Sequence, residues 1–355
     1  MFRAPPIPPR IYLDHAATSP LRPEAMAAME QGFSIWANPS SPHAEGRKAR
    51  AALEDARERI KAAVGWNGEL IFTSGASEAL AIGLGRAKAD RRVTSAVEHD
   101  AVLCAAPNAD VLPIVGGEPD LAALDGLMAG AGKPLVAVQH LNSETGTFLL
   151  PNAESAVAGR VREAGGWLLS DCSQSAGKAP LPEADMVVLA AHKFGGPIGI
   201  GALLVRDFAM IEPCGGHERG YRAGTENLPG ALGMAAALEC GGIERWATSA
   251  EDHLAFKARL CEHGQVLAPG SQCSHILALV HPSLSAQALL IRLDAMGFAV
   301  SAGSACSSGT LKKSRVLDAM GVDDDTARRT IRVSLGWNTT AEELDRFAEA
   351  WKQLT

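Results

Sequence analysis

The sequence predicts an α/β fold, with a large domain on a mostly parallel sheet and a smaller α+β domain beside it. Three observations carry this expectation. The chain has 355 residues, more than one small core organises. Short apolar runs alternate with helix-like segments through the first two-thirds, the pattern of strands joined by crossover helices. From about Asn227 the alternation stops, and helices gather ahead of a last group of strands.

Taken in order, Leu70–Thr73 reads as a strand and Ser77–Lys88 as the helix after it. Leu135–His140 is a strand, and Ala153–Ala164 is a helix. Apolar runs then end at Asp171 and at Ala191, and Ile200–Val205 follows. Beyond Asn227, Gly230–Cys240 and Ala250–Glu262 read as helices, Ser274–Val280 as a strand and Ala286–Met296 as a helix. Phe298–Ser301 and Thr330–Leu335 are strands. Thr340–Lys352 closes the chain as a helix, with Thr340 as its cap and Glu343 three residues later. The expected boundaries are residues 14–247 for a large cofactor-binding domain, with 1–13 and 248–355 forming the small one.

Composition narrows the function. Apolar residues make up 47% and charged residues 21%, as in an ordinary globular protein. A net charge of −7 gives no footprint for nucleic acid or an anionic membrane. No apolar stretch approaches the roughly 20 residues that span a bilayer, and the proline-rich start lacks the apolar core of a signal peptide. The seven cysteines, at 104, 172, 214, 240, 261, 273 and 306, show no CxxC and no zinc spacing, so no metal is expected. They fit thiols in a reducing cytoplasm, most of them core fillers.

Ligands of such sheets sit beyond the carboxyl ends of the strands. Five segments fall there: Ser74-Gly75-Ala76-Ser77, Glu98-His99, Asn142-Ser143-Glu144, Asp171 and Lys193. Lys193 follows the run Met186–Ala191 and precedes Gly195-Gly196-Pro197, while Asp171 lies 22 positions before it with Gln174 just beyond. A strand-end aspartate followed by a strand-end lysine is what a pyridoxal phosphate site needs. The amine condenses with the aldehyde, and the carboxylate pairs with the ring nitrogen. Alone, Lys193 would read as a solvated loop lysine; the spacing and the flanking His192 and glycines reverse that.

The other segments fit the same site. Ser74–Glu78 lies between strand and helix, where small residues let backbone N–H groups approach an anion, although Ser77 alone would pass as a helix cap. His99 falls where an imidazole could stack on a ring and move protons near neutral pH. Cys306 sits in Gly303-Ser304-Ala305-Cys306-Ser307-Ser308-Gly309, a composition expected for an exposed, mobile loop, and an exposed thiol is a liability unless used. Arg332 ends a strand of the smaller domain, and its fork suits an amino-acid carboxylate. Gly215–Asn227 is too rich in glycine and arginine for a helix and reads as an ordered anion-binding loop.

These motifs together resemble the group I cysteine desulfurases of the NifS/IscS type, within class V of the fold-type I pyridoxal phosphate enzymes. The likeness runs nearly end to end, through Tyr12–Thr18, Asn38–His43, Phe72–Glu78, Asn142–Gly146, Asp171–Ser175, His192-Lys193, Gly215–Asn227, Gly303–Ser308 and Ile331–Gly336. The resemblance implies a cytoplasmic homodimer that takes L-cysteine and passes sulfur to an acceptor or iron–sulfur scaffold protein. It implies that Lys193 holds the cofactor, Asp171 pairs with the ring nitrogen and Gln174 bonds the ring hydroxyl. His99 would stack on the ring and move protons. Ala76, Ser77 and His192 would bind phosphate, with Thr225 supplied by the other protomer. Arg332 would hold the substrate carboxylate, and Cys306 would take sulfur as a persulfide.

Three positions depart from the family pattern. Ser143 stands where an asparagine usually reaches cofactor and substrate, Ala190 where a phosphate-binding serine is expected, and Ala81 where an asparagine is usual. Selenocysteine lyase and class V aminotransferase activities remain open on the same cofactor. So does a degenerate, non-catalytic sulfur-transfer partner, which Ser143 and Ala190 motivate.

Overall fold

The computed structural model describes residues 10–151, 155–302 and 314–355. Its centre is a seven-stranded sheet in the spatial order Glu69–Thr73, Gly201–Val205, Met186–Ala190, Trp167–Asp171, Pro134–Ala137, Arg91–Ser95 and Asp110–Leu112. Neighbours pair in parallel, except that Gly201–Val205 runs antiparallel to both of its neighbours. The expected mostly parallel sheet is present.

Both faces of this sheet are covered, and strand periodicity explains how. Val187, Leu189, Leu168, Val136 and Phe72 turn one way, into a core shared with Leu53 and Ile60 of the helix Ala44–Val64 and with Leu228–Glu239. Met186, Val188, Leu169, Leu135 and Ile71 turn the other way, against Leu80 and Leu84 of the helix Ala76–Gly85. Successive side chains on a strand point to opposite faces, so near-continuous apolar runs are what a doubly covered sheet requires.

Pairing also sets the edge that matters for function. Gly201 lies between Thr73 and Ala190 in register, so Ser74-Gly75 and Ala191–Lys193 leave the sheet side by side. A Cβ on Gly201 would sit 2.6 Å from the Leu189 carbonyl and 2.8 Å from the Gly75 Cα. Only glycine lets those backbones approach so closely.

A second core gathers Ile11, Leu13, Trp246, Phe256, Leu293, Phe347 and Trp351. Its sheet is three-stranded and antiparallel, in the order Gln265–Leu267, Ile276–Val280, Thr330–Ser334. Ile11–Tyr12 pairs in parallel with Phe298–Ala299, which ties the start of the described chain to this unit. The last helix, Ala341–Leu354, opens with the expected capping box of Thr340 and Glu343.

Some expectations need correction. The helix expected over Ser77–Lys88 is Ala76–Gly85, because the Lys88 amide donates to the Met210 carbonyl instead. The strand expected over Leu135–His140 ends at Ala137 as regular structure, although the Val138 and His140 amides still donate to Leu169 and Asp171. Most cysteines are not core fillers. Among the six described, Cys172 and Cys273 are buried, Cys240 is partly so, and Cys104, Cys214 and Cys261 are exposed. None of the described helices is long and apolar enough to cross a membrane.

The loop Gly215–Asn227 is ordered by a buried ion pair. Arg57 donates to both Glu218 oxygens at 2.8 and 3.1 Å, and the Phe72 amide donates to Glu218 at 2.8 Å. Glu218 and Arg219 hold left-handed backbone at φ 47° and 57°, which costs roughly 1–2 kcal/mol for each non-glycine residue. Losing one partner of a buried pair is worse, about 3–5 kcal/mol, so the pair keeps the strained turn in place.

Candidate active site

A cavity of about 1250 Å³ opens at the carboxyl edge of the large sheet. All five strand-end segments named from the sequence reach its wall, and Arg332 reaches it from the smaller sheet. Ser77, Ser143, Asp171, Gln174, His192 and Lys193 all line it.

Lys193 ends a single 3₁₀ turn, Ala191–Lys193, directly after the Met186–Ala190 strand. Its Nζ donates to the carbonyls of Ala16 and Ala17 at 2.7 and 2.8 Å. Burial, with the Arg332 charge adding to it, pushes the lysine down to about 8. Neighbouring His192 contacts the Thr18 hydroxyl through Nδ1 at 3.1 Å, and burial lowers it to about 4, which keeps it neutral.

Asp171 ends the adjacent strand, and its Oδ1 accepts the Ser173 amide at 2.9 Å. Gln174 donates from Nε2 to the Ala16 carbonyl at 2.8 Å, the acceptor that Lys193 also uses. Its Oε1 and the Ser173 hydroxyl are buried without partners among the described residues. Buried polar atoms are normally paired, so an orphan acceptor beside a cavity points to a ligand donor.

Ala76 and Ser77 begin a ten-residue helix that has no side-chain cap. Its free N–H groups and positive end suit an anion. Arg222, from the Gly215–Asn227 loop, donates from Nε to Glu78 Oε1 at 3.0 Å and ties that loop to the helix start. Ala190 lines the cavity with a methyl group and offers no side-chain donor, whereas Ala81 does not line it. Thr225 is exposed and does not reach the cavity within this chain.

His99 caps the helix Asp100–Ala105, its Nδ1 accepting the Ala101 amide at 3.1 Å. That leaves Nε2 as the ring nitrogen available to the cavity that His99 lines. Behind it, Glu98 is buried and accepts the Ser95 hydroxyl at 2.6 Å and the Gln139 amide at 2.7 Å. Burial pushes its carboxyl up to about 8.

Arg332 is buried and held on two sides. Its Nη2 donates to Asp14 Oδ1 at 2.8 Å and its Nη1 to the Ser143 carbonyl at 3.0 Å, while Nε has no partner among the described residues. Asp14 escaped the residue-by-residue reading. Its signal was its place in the Tyr12–Thr18 motif, whose carbonyls at 16 and 17 also receive Lys193.

Cys306 and the loop expected to be mobile lie outside the described residues. Ser301 and Ala302, just before that segment, line the cavity, and Ser301 exchanges backbone hydrogen bonds with Arg332 at 3.2 and 2.6 Å. Arg315, just after it, lines the cavity too. Three of the described cysteines are exposed, so exposure by itself singles out none of them.

Comparison with known proteins gives the family. The model of the aminotransferase class-V family matches residues 11–347. A protein of Cereibacter sphaeroides named cysteine desulfurase is 36% identical over 96% of this chain and 94% of its own. A solved structure titled NifS-like protein superposes with a TM-score of 0.85 at 29% identity, covering 97% of this chain and 99% of that one. A structure titled SspA in complex with cysteine gives 0.78 at 27% identity, covering 93% and 100%.

Proposed function

The chain belongs to the class-V aminotransferase family, and within it we propose a cysteine desulfurase that takes sulfur from L-cysteine and leaves L-alanine. One observation carries this reading. Lys193 in the turn after one strand, Asp171 at the end of the neighbouring strand and Arg332 on a strand of the smaller sheet line one cavity.

The residues fit pyridoxal phosphate. Among the described residues Gln174 Oε1 has no donor and the start of the helix Ala76–Gly85 has no side-chain cap, and Lys193 presents an amine at the cavity wall. When bound, that group supplies an electron sink for charge developing on the substrate's α-carbon. Lys193 would hold it, Asp171 would face its ring nitrogen, and Gln174 would meet its hydroxyl. Ala76, Ser77 and His192 would hold its phosphate, with Thr225 of a second protomer in a homodimer.

Arg332 would bind the substrate carboxylate, pre-oriented by Asp14 and the Ser143 carbonyl. Lys193 Nζ and His99 Nε2 would move protons. An amine held near 8 is partly neutral at neutral pH and can accept a proton there. Cys306 would be the first sulfur acceptor. It is four residues beyond Ala302, so the covalent chain holds it within about 14 Å of that part of the wall. Its thiolate attacks the substrate sulfur. The carbon–sulfur bond breaks with its electron pair left on carbon, which is then protonated, and Cys306 keeps the sulfur as a persulfide. Cysteine and one thiol thus give alanine and one persulfide, with no outside oxidant.

The test is direct. Purified protein loaded with pyridoxal phosphate should form alanine from L-cysteine, and sulfide when a thiol reductant is present. Lys193→Ala should form neither. Absence of alanine from the loaded wild-type protein overturns the reading.

A further inference from the structure

Two adjacent residues, Ser314 and Arg315, reach two different turns of the cavity wall. The Ser314 hydroxyl donates to Glu144 Oε2 at 2.6 Å and accepts the Leu317 amide at 3.0 Å, capping the helix Arg315–Ala319. Arg315 donates from Nη1 to the Ala96 carbonyl and from Nη2 to the Glu98 carbonyl, with Asp100 Oδ1 at 3.5 Å. Three acceptors on one guanidinium thus come from a single five-residue turn, and His99 lies inside it.

The turn has further ties through the Val97 carbonyl, which accepts from Gln139 Nε2 and from Asn142 Nδ2, the latter at 3.4 Å. The Ala96 amide donates to the Leu112 carbonyl, and the Glu98 side chain points inward to Ser95 and Gln139. The Arg315 anchor is itself fixed. Val316 packs in the large core and Leu317 in a small cluster with Leu267 and Val280, both nearly fully buried. A planar fork held by such a helix meets two carbonyls in one geometry, which a flexible ammonium does less well.

We propose that Arg315 is a positioning residue for His99, clamping the Ala96–Asp100 turn so that Nδ1 stays on the Ala101 amide and Nε2 faces the cavity. The clamp is a property of the fold. Only its consequence for turnover rests on the desulfurase reading.

The experiment follows backbone hydrogen–deuterium exchange by mass spectrometry in full-length protein, with and without pyridoxal phosphate, alongside kinetics with L-cysteine. Arg315→Ala should speed exchange in peptides spanning residues 96–105 by roughly tenfold and leave the helix Ala341–Leu354 unchanged. It should lower kcat by roughly tenfold with KM changed much less, as loss of placement rather than of substrate binding predicts. Arg315→Lys should recover part of both effects. If Arg315→Ala does not fold, Arg315→Lys and Arg315→Gln carry the test, each expected to raise exchange in that peptide alone. Unchanged exchange at 96–105, a rise spread over the whole chain, or a loss confined to KM would each overturn the proposal. Failure of the desulfurase reading would look different, since the wild type would make no alanine while the local exchange contrast persisted.

Discussion

Arg332 and Asp14 form a 2.8 Å ion pair across 318 residues of sequence, joining the last strand to the start of the described chain at the cavity wall. Breaking it should affect substrate binding first. Asp14→Ala leaves a buried guanidinium with the Ser143 carbonyl as its remaining partner among the described residues. KM for L-cysteine should rise about tenfold, which is about 1.4 kcal/mol, with a smaller change in kcat. Steady-state kinetics checks this, and an unchanged KM would remove Asp14 from the site.

Lys193 sets a pH dependence whose sign can be worked out. Burial lowers it from 10.5 to about 8. The unfolded chain therefore holds the extra proton between about 8 and 10.5, and this group makes the fold more stable as pH rises through that window. The neutral amine is also the nucleophile toward an aldehyde. Uptake of pyridoxal phosphate by cofactor-free protein should rise about tenfold between pH 7 and 9 and then level off. Stopped-flow absorbance reads the rate, and a rise that continues to pH 10.5 without levelling contradicts a lowered lysine.

Thr225 tests the dimer. It is exposed, and its own loop is pinned by Glu218 and Arg222 rather than by contact with the cavity. With Ala190 offering no side-chain donor, a hydroxyl from a neighbouring protomer should carry more of the phosphate's binding. Thr225→Ala should weaken cofactor binding by roughly 1–3 kcal/mol. Dilution should release cofactor together with dissociation, which sedimentation and absorbance can follow in parallel. A monomer that keeps its cofactor at full occupancy argues against a shared site.

Cys306 as sulfur carrier gives the sharpest chemical readout. After L-cysteine without reductant, mass spectrometry should find one added sulfur on the peptide containing Cys306. Cys306→Ser should still bind L-cysteine but form almost no alanine. Sulfur on Cys104 or Cys214, both exposed, together with full activity in Cys306→Ser, would reassign the carrier.

Much of the site was legible because its chemistry is local in sequence. A strand end that delivers Asp171 or Lys193, small residues at Gly75-Ala76 before a helix, and the Thr340–Glu343 capping box are each readable within a few residues. Cysteine burial was misjudged because a thiol's preference for the interior is statistical, while Cys104 and Cys261 ride on the outward sides of their helices. Arg315 escaped notice because an arginine at a helix start looks like any solvated surface cation.

The sequence by itself determined the kinds of element, their order and the types of chemical group at their ends, since side-chain periodicity, capping and residue chemistry act over one or two turns. Tertiary structure decided which ends meet. Placing Gly201 between Thr73 and Ala190 set the phosphate-side helix beside Lys193. Closure of the smaller sheet brought Arg332 to Asp14 and Ser143. Burial then lowered Lys193 and raised Glu98. The Gly201–Thr73, Arg332–Ser143 and Arg332–Asp14 pairings span 128, 189 and 318 residues, and they arise only when long loops close around a common core, so no local pattern encodes them.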